Sequence, residues 1–161
     1  MRGIELRERS GEQGFFQVRI VRIAPQEAEY CSTTVGLATQ GLCFGKPLAQ
    51  RGCLGWTQLG DIGNGLPGSD DPIYTRIDAR CFIPGRVDWM FTTGDVVGLM
   101  IDCTAEPTLR FFVNGVQVHR VVVAQESYGL VLFPAFSFTK WTGQIHIASN
   151  PDFPSFSHEL W

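Results

Sequence analysis

Two runs of alternating apolar residues meet at Asn114-Gly115. Leu109, Phe111 and Val113 alternate before it, and Val116 and Val118 alternate after it. A period of two marks half-buried strands. Asn-Gly between two such runs favours a two-residue type I′ turn, because both turn residues need positive φ. That register places Val113 opposite Val116 and Phe111 opposite Val118 on one side. Arg110, Phe112, Gln117 and His119 fall on the other.

Short β-rich runs separated by turns make up the rest of the sequence. Phe16, Val18 and Ile20 alternate with Gln17 and Arg19. The apolar phase then shifts to Val21 and Ile23, which a bulge or a strand covered on both faces would explain. Val35-Gly36-Leu37-Ala38 is small and apolar, with a glycine that lets another backbone come close. Val96 to Ile101 reads as a central strand, and Leu130–Phe138 and Gln144–Ala148 as two more. Between Gln40 and Met90 the sequence is rich in glycine and proline. Fifty residues of loop would be abnormal in a compact domain, so short strands are expected near Gly52–Trp56, Ile73–Ile77 and Arg80–Ile83. Glu5 to Gln13 reads as strand or loop, and no amphipathic helix or fixed-period repeat is visible.

Composition agrees. The 161 residues include 18 Gly and 9 Pro, a density that long helices hardly survive. The length suits one domain, taken as residues 1–161. Charged residues are 18%, below the roughly 25% of a typical soluble domain. With a net charge of −3, a general nucleic-acid or anionic-membrane surface is not expected. No apolar run of membrane-spanning length occurs, and no secretory h-region follows Arg2. Cys31, Cys43, Cys53, Cys81 and Cys103 are widely spaced, with no C-x-x-C, and His119, His146 and His158 are scattered. A zinc site is not expected, because its ligands usually arrive in close pairs. Reduced thiols and the lack of any N-x-S/T acceptor fit an intracellular protein, cytoplasmic or nuclear.

Many short antiparallel strands without helices imply a two-sheet β-sandwich. Six pieces, in order over residues 14–153, carry a family resemblance. Gly14-Phe15-Phe16-Gln17-Val18-Arg19-Ile20 resembles the "YYFEVxI" strand of SPRY (B30.2-like) domains, and Val35-Gly36-Leu37-Ala38-Thr39 their "VGVAT". Gly94 to Asp102 is similar to "GDVIGxxxD", and Leu109 to Gly115 to "LxFxxNG". Leu132 to Phe138 resembles "LYPAVSL", and Ile147 to Phe153 the closing "VxxNFGxxPF", with Asn150 on its Asn. The resemblance implies a bent, concanavalin-like antiparallel sandwich with little or no helix and no catalysis of its own. It departs at Cys53-Leu54-Gly55-Trp56, which keeps only the tail of the usual "SWGY", and in the long insert 57–91. No PRY-like extension is visible.

The residues that could suggest chemistry have plainer readings. Asp95 and Asp102 resemble a glycosidase carboxylate pair, but seven strand steps of about 3.3 Å would hold them more than roughly 20 Å apart. They read instead as a turn former and a strand end. Gly63-Asn64-Gly65-Leu66-Pro67-Gly68 fits G-x-G-x-x-G, but acidic Ser69-Asp70-Asp71-Pro72 follows where a helix N-terminus should meet the phosphate. No cofactor or metal is implied.

The function these features support is a non-catalytic protein-interaction module that takes a short partner segment between its loops. Trp141, within Lys140-Trp141-Thr142, is the leading anchor, since a large aromatic buries much area at low entropic cost. In peptide-binding SPRY domains a Trp-Gly pair in the corresponding loop helps floor the site; here Thr142 separates Trp141 from Gly143. Phe44 and Leu48, after the Val35–Thr39 strand, lie beside that Trp in the family. Tyr74 and Arg76 complete the candidate site. Trp56, Phe111, Phe133 and Phe136 are assigned to core or rim. SPRY domains often sit in larger proteins such as ubiquitin-ligase adaptors or chromatin complexes, and the isolated domain is expected to be monomeric. A lectin-like sandwich stacking aromatics on sugars is the rival reading. A weak RNA surface around Tyr74, Arg76, Arg80, Arg86 and Trp89 is a third, weakened by the interleaved Asp70, Asp71, Asp78 and Asp88.

Overall fold

A computed structural model describes residues 3–22, 32–40, 52–58, 61–69, 74–76, 91–139 and 144–147. In sequence order the strands are β1 (Ile4–Glu5), β2 (Gln13–Arg22), β3 (Ser32–Thr39), β4 (Cys53–Thr57), β5 (Asp61–Asn64) and β6 (Tyr74–Arg76). There follow β7 (Val96–Asp102), β8 (Thr108–Val113), β9 (Val116–Val122), β10 (Val131–Thr139) and β11 (Gln144–Ile147). Among the described residues one 3-10 turn spans Gln125–Ser127 and there is no α-helix.

The strands form two antiparallel sheets. One has the order β1-β10-β3-β4-β5-β6, the other β11-β2-β7-β8-β9. Their facing sides share one core. Val35, Leu37, Leu54, Trp56, Ile62 and Leu132 come from the first sheet, and Phe16, Val18, Ile20, Val97, Leu99, Leu109 and Phe111 from the second. Two edge-on ring contacts stitch the sheets together: Trp56 with Phe111 at 5.9 Å and Phe16 with Phe136 at 6.1 Å. Phe91 seats a third ring on Trp56 at 5.1 Å. Such pairs add to what area burial alone provides.

The expected strands that fall within the described residues are found, with β5 in addition, and β7 lies at the centre of its sheet. The stretch 80–83 lies outside the described residues. At Asn114-Gly115 the backbone takes φ of 50° and 82°, as a type I′ turn requires. Gly36 pairs directly with Gly55. A Cβ at Gly36 would run into the Leu54 carbonyl oxygen and the Gly55 Cα, so the glycine is a condition of the β3–β4 contact. Pro134 lies beyond the two β10 residues that β1 covers, and pairs with Leu37 of β3.

Two bulges set details of the register. Ile20 and Arg22 pair with Ile145 and Gln144, so Val21 has no partner and is 40% exposed. This is the bulge that the shift in apolar phase suggested. The second corrects the sequence register. Phe111 pairs with His119, not Val118, because a shift between Phe111 and Phe112 leaves Val118 unpaired. An extra residue in one strand brings two successive side chains to the same side. Val118 is therefore buried and His119 sits beside the Phe111 ring at 6.0 Å. Phe112, placed by alternation among polar residues, is also buried, with Phe15 edge-on at 5.9 Å.

Candidate interaction surface

The strand directions define two ends of the sandwich. At the first, β10 finishes at Thr139 opposite Ser32, and β11 begins at Gln144 opposite Arg22. Residues 140–143 join these strands across the sheets. The Asn114-Gly115 turn and the 92–95 turn before β7 lie at this same end. At the second end, β10 starts beside Thr39, and β7 finishes at Asp102.

The first end is locked by a clamp of two side chains. Asp95, buried at 4% exposure, accepts the Thr92 N–H at 2.7 Å on one oxygen and the Asn114 side-chain amide at 2.9 Å on the other. The Asn114 amide oxygen accepts the Val96 N–H at 2.9 Å, and the Asn114 backbone N–H reaches the Val96 carbonyl at 2.8 Å. Backbone bonds from Gly94 to Ile20 and from Ile20 to Asp95 tie β2 to the same corner. The β7 start, the hairpin tip and the β2 end therefore form one rigid platform.

The second end is held differently. Asp102 accepts bonds from Thr104 (backbone 3.1 Å, hydroxyl 2.7 Å), Gln13 (3.2 Å) and the Arg110 guanidinium (2.9 Å). Burial pushes its carboxyl upward, but the Thr104 and Gln13 hydrogen bonds and the Arg110 charge outweigh that and hold it below its ordinary value. Ser127, fully buried, donates to the Pro67 carbonyl at 2.7 Å and fixes the 3-10 turn against the 64–69 turn.

Among the described residues the candidate reactive groups are committed to structural roles. Asp95 and Asp102 stand at opposite ends of β7, each engaged in structural bonds. The G-x-G-x-x-G run folds as the end of β5 and a turn, in which the Ser69 hydroxyl donates to the Asn64 and Leu66 carbonyls at 2.9 and 2.6 Å. No helix N-terminus follows within the described residues. Cys53 and Cys103 are buried, and burial pushes the Cys103 thiol up, away from the reactive thiolate. No group of three or more His, Cys, Asp or Glu suited to a metal ion occurs among the described residues. No helix among them is long and apolar enough to cross a membrane.

Phe44, Leu48, Lys140, Trp141 and Thr142 lie outside the described residues, as do Arg80, Arg86 and Trp89 of the RNA reading. Tyr74 and Arg76 fall on the edge strand β6, paired with Gly63 and Asp61. The strand ends flanking the candidate segments divide between the two ends. Thr39 and Gly52, which bracket the segment with Phe44 and Leu48, bond to each other at 3.0 Å at the second end. Thr139 and Gln144, which bracket Lys140–Thr142, stand at the first, with Thr139 seven residues along β10 from Leu132, the partner of Thr39. Sequence reasoning did not single out Val21 and Val116, which expose apolar surface at that first end. The break in alternation at Val21 was their one available signal.

No protein-family model matches the sequence, and no curated protein matches it. Among solved structures, the chain is similar to the SPRY domain of human HERC1 at 15% identity. That match covers 91% of this chain and 77% of that one, with a TM-score of 0.55. The fold is that of a SPRY domain. Sheep galectin-11, solved with glycerol, is similar at 13% identity over 91% of this chain and 95% of that one, with a TM-score of 0.38. Three of the six sequence pieces acquire structural meanings here, while residues 148–153 of the sixth, Asn150 included, lie outside the described residues. The glycine of the Val35–Thr39 strand is the β3–β4 backbone contact, and the Asp95 and Asn114 of the third and fourth pieces are the two halves of the clamp.

Proposed function

We propose that this chain is a non-catalytic protein-interaction module that binds a short segment of a partner through the loops at one end of the sandwich. The observation that carries the reading is the rigid platform at the first end, where segment 140–143 is strung between two strands of different sheets. Loops on fixed strands lose little ordering entropy on binding, so a few anchors provide usable affinity. Trp141 is the main anchor, with Lys140 and Thr142 beside it and Arg76 at the same end of β6. Phe44, Leu48 and Tyr74 belong to segments that start from the second end and contribute separately. Buried carboxylates committed to structural bonds, and a buried thiol held protonated, support the absence of catalysis. The domain acts within the cell, as a monomer in isolation and as part of an adaptor-like protein.

The test is a proteome-wide peptide display screen run in parallel on the wild type and on Trp141→Ala, with Phe44→Ala/Leu48→Ala as a third arm. Peptides enriched on the wild type and lost on Trp141→Ala, with the fold intact, support the reading. Equal enrichment on both proteins places the site elsewhere.

A further inference from the structure

Asn-Gly pairs are chemically fragile. The glycine nitrogen can attack the amide carbon at the end of the Asn side group, because no Cβ on the glycine obstructs it. The new C–N bond closes a five-membered imide. The bond from that carbon to the amide nitrogen breaks, and the nitrogen leaves as ammonia. Water then opens the imide at either carbonyl, leaving Asp or isoaspartate. The sequence has two such pairs, Asn64-Gly65 and Asn114-Gly115.

The fold protects them in different ways. At Asn64 the attacking nitrogen is occupied, because the Gly65 N–H donates to the Cys53 carbonyl at 2.8 Å. The Asn64 amide oxygen also accepts the Leu66 N–H at 3.1 Å. At Asn114 both ends of the side-chain amide are held. Its amide nitrogen is bound to Asp95 and its oxygen is bound by the Val96 N–H, both at 2.9 Å, in an exposed turn that water reaches freely.

We propose that Asn114 is a deamidation site gated by Asp95: the clamp keeps the amide away from the Gly115 nitrogen, and the reaction proceeds when the clamp opens. The product is irreversible damage. The new carboxylate at position 114 faces the buried Asp95 carboxylate at hydrogen-bond distance, with a donor lost and a like charge gained. An isoaspartate would also add a backbone atom to a turn that admits two residues only in one geometry. Either product loses the bond from residue 114 to Asp95 and so weakens the hold of β7 on the hairpin tip. Asp95 is a positioning residue in this scheme, and the unmodified state depends on it.

The experiment is a time course of peptide mapping by mass spectrometry, resolving Asn, Asp and isoaspartate at positions 114 and 64 in the same digests. Removing one charge-assisted hydrogen bond frees the amide about tenfold more often. Asp95→Ala should therefore deamidate at Asn114 about tenfold faster than the wild type, while Asn64, guarded by its backbone bond, keeps its rate. An unchanged rate at Asn114 would overturn the proposal, and so would equal acceleration at both sites, which would report general loosening. The wild type supplies a second comparison if Asp95→Ala folds poorly. Asn114 should react at least about tenfold more slowly in the native protein than in the same protein unfolded in urea, and equal rates would contradict the gate.

Discussion

Asn114 donates its side-chain amide to Asp95 at 2.9 Å, across 19 residues of sequence, and this bond joins the β8–β9 hairpin tip to the start of β7. Asp95 is buried at 4% exposure, so its carboxylate is served by donors from the protein rather than by bulk water.

Exchanging the two residues tests that bond directly. Asn114→Asp alone should cost about 1–3 kcal/mol, because two carboxylates then face each other. The double variant Asp95→Asn/Asn114→Asp restores a donor, now on residue 95, and still lets Thr92 and Val96 donate as before. It should recover most of the loss in a denaturant titration. Failure of the double variant to recover would mean that the pair does not interact as described.

Gly36 carries a different constraint. The Leu54 carbonyl and Gly55 Cα occupy the space of a side chain, and backbone does not step aside as the tip of a flexible residue does. Gly36→Ala should cost about 3 kcal/mol or more, or prevent folding. Gly115→Ala in the hairpin should cost about 1–2 kcal/mol, from its positive φ of 82° alone, since nothing lies within contact distance of the added atom. Thermal unfolding of the two variants should rank them in that order.

Much of this was legible in the sequence. Alternation around Asn114-Gly115 located the hairpin and its turn, and the glycine in the Val35–Thr39 run announced a close backbone approach. The shift in phase at Val21 marked a bulge. Val118 gave no such warning, because a bulge inside an uninterrupted alternation leaves the pattern unchanged; its cause is the pairing with β8, not the local residues. Phe112 was misplaced for a related reason. Its partner Phe15 comes from β2, and only the assembled sheet brings the two rings together. Asp61–Asn64 is too polar and glycine-rich to read as strand, and it exists as β5 because β4 and β6 flank it. The recognition residues are the least legible, since a loop anchor obeys no period and is chosen by its partner.

His119 makes stability depend on pH. It is half-buried beside Phe111, and burial lowers its pKa below the ordinary 6.5. The unfolded state therefore takes up a proton before the folded one does. The stabilisation is full above about pH 6.5 and falls as pH drops from there through the lowered folded value. Denaturant titrations should show this loss in the wild type and a smaller one in His119→Gln. An identical slope in both proteins would assign the dependence to another group.

Asp102 acts over a lower range. Its folded pKa lies below 3.8, so its contribution is full above that value and is lost as pH falls through the folded one. Asp102→Asn should flatten the acid limb of the stability curve, with Arg110→Gln showing a partial effect because Thr104 and Gln13 still donate. Stability that falls as steeply in Asp102→Asn as in the wild type would contradict this assignment.

Binding through Trp141 is tested by one titration. A peptide enriched by display on the wild-type domain is titrated against the wild type and Trp141→Ala, with thermal unfolding confirming that both are folded. The account predicts at least about a tenfold loss of affinity, the size of a hot-spot truncation. Equal affinity in two folded proteins would contradict it.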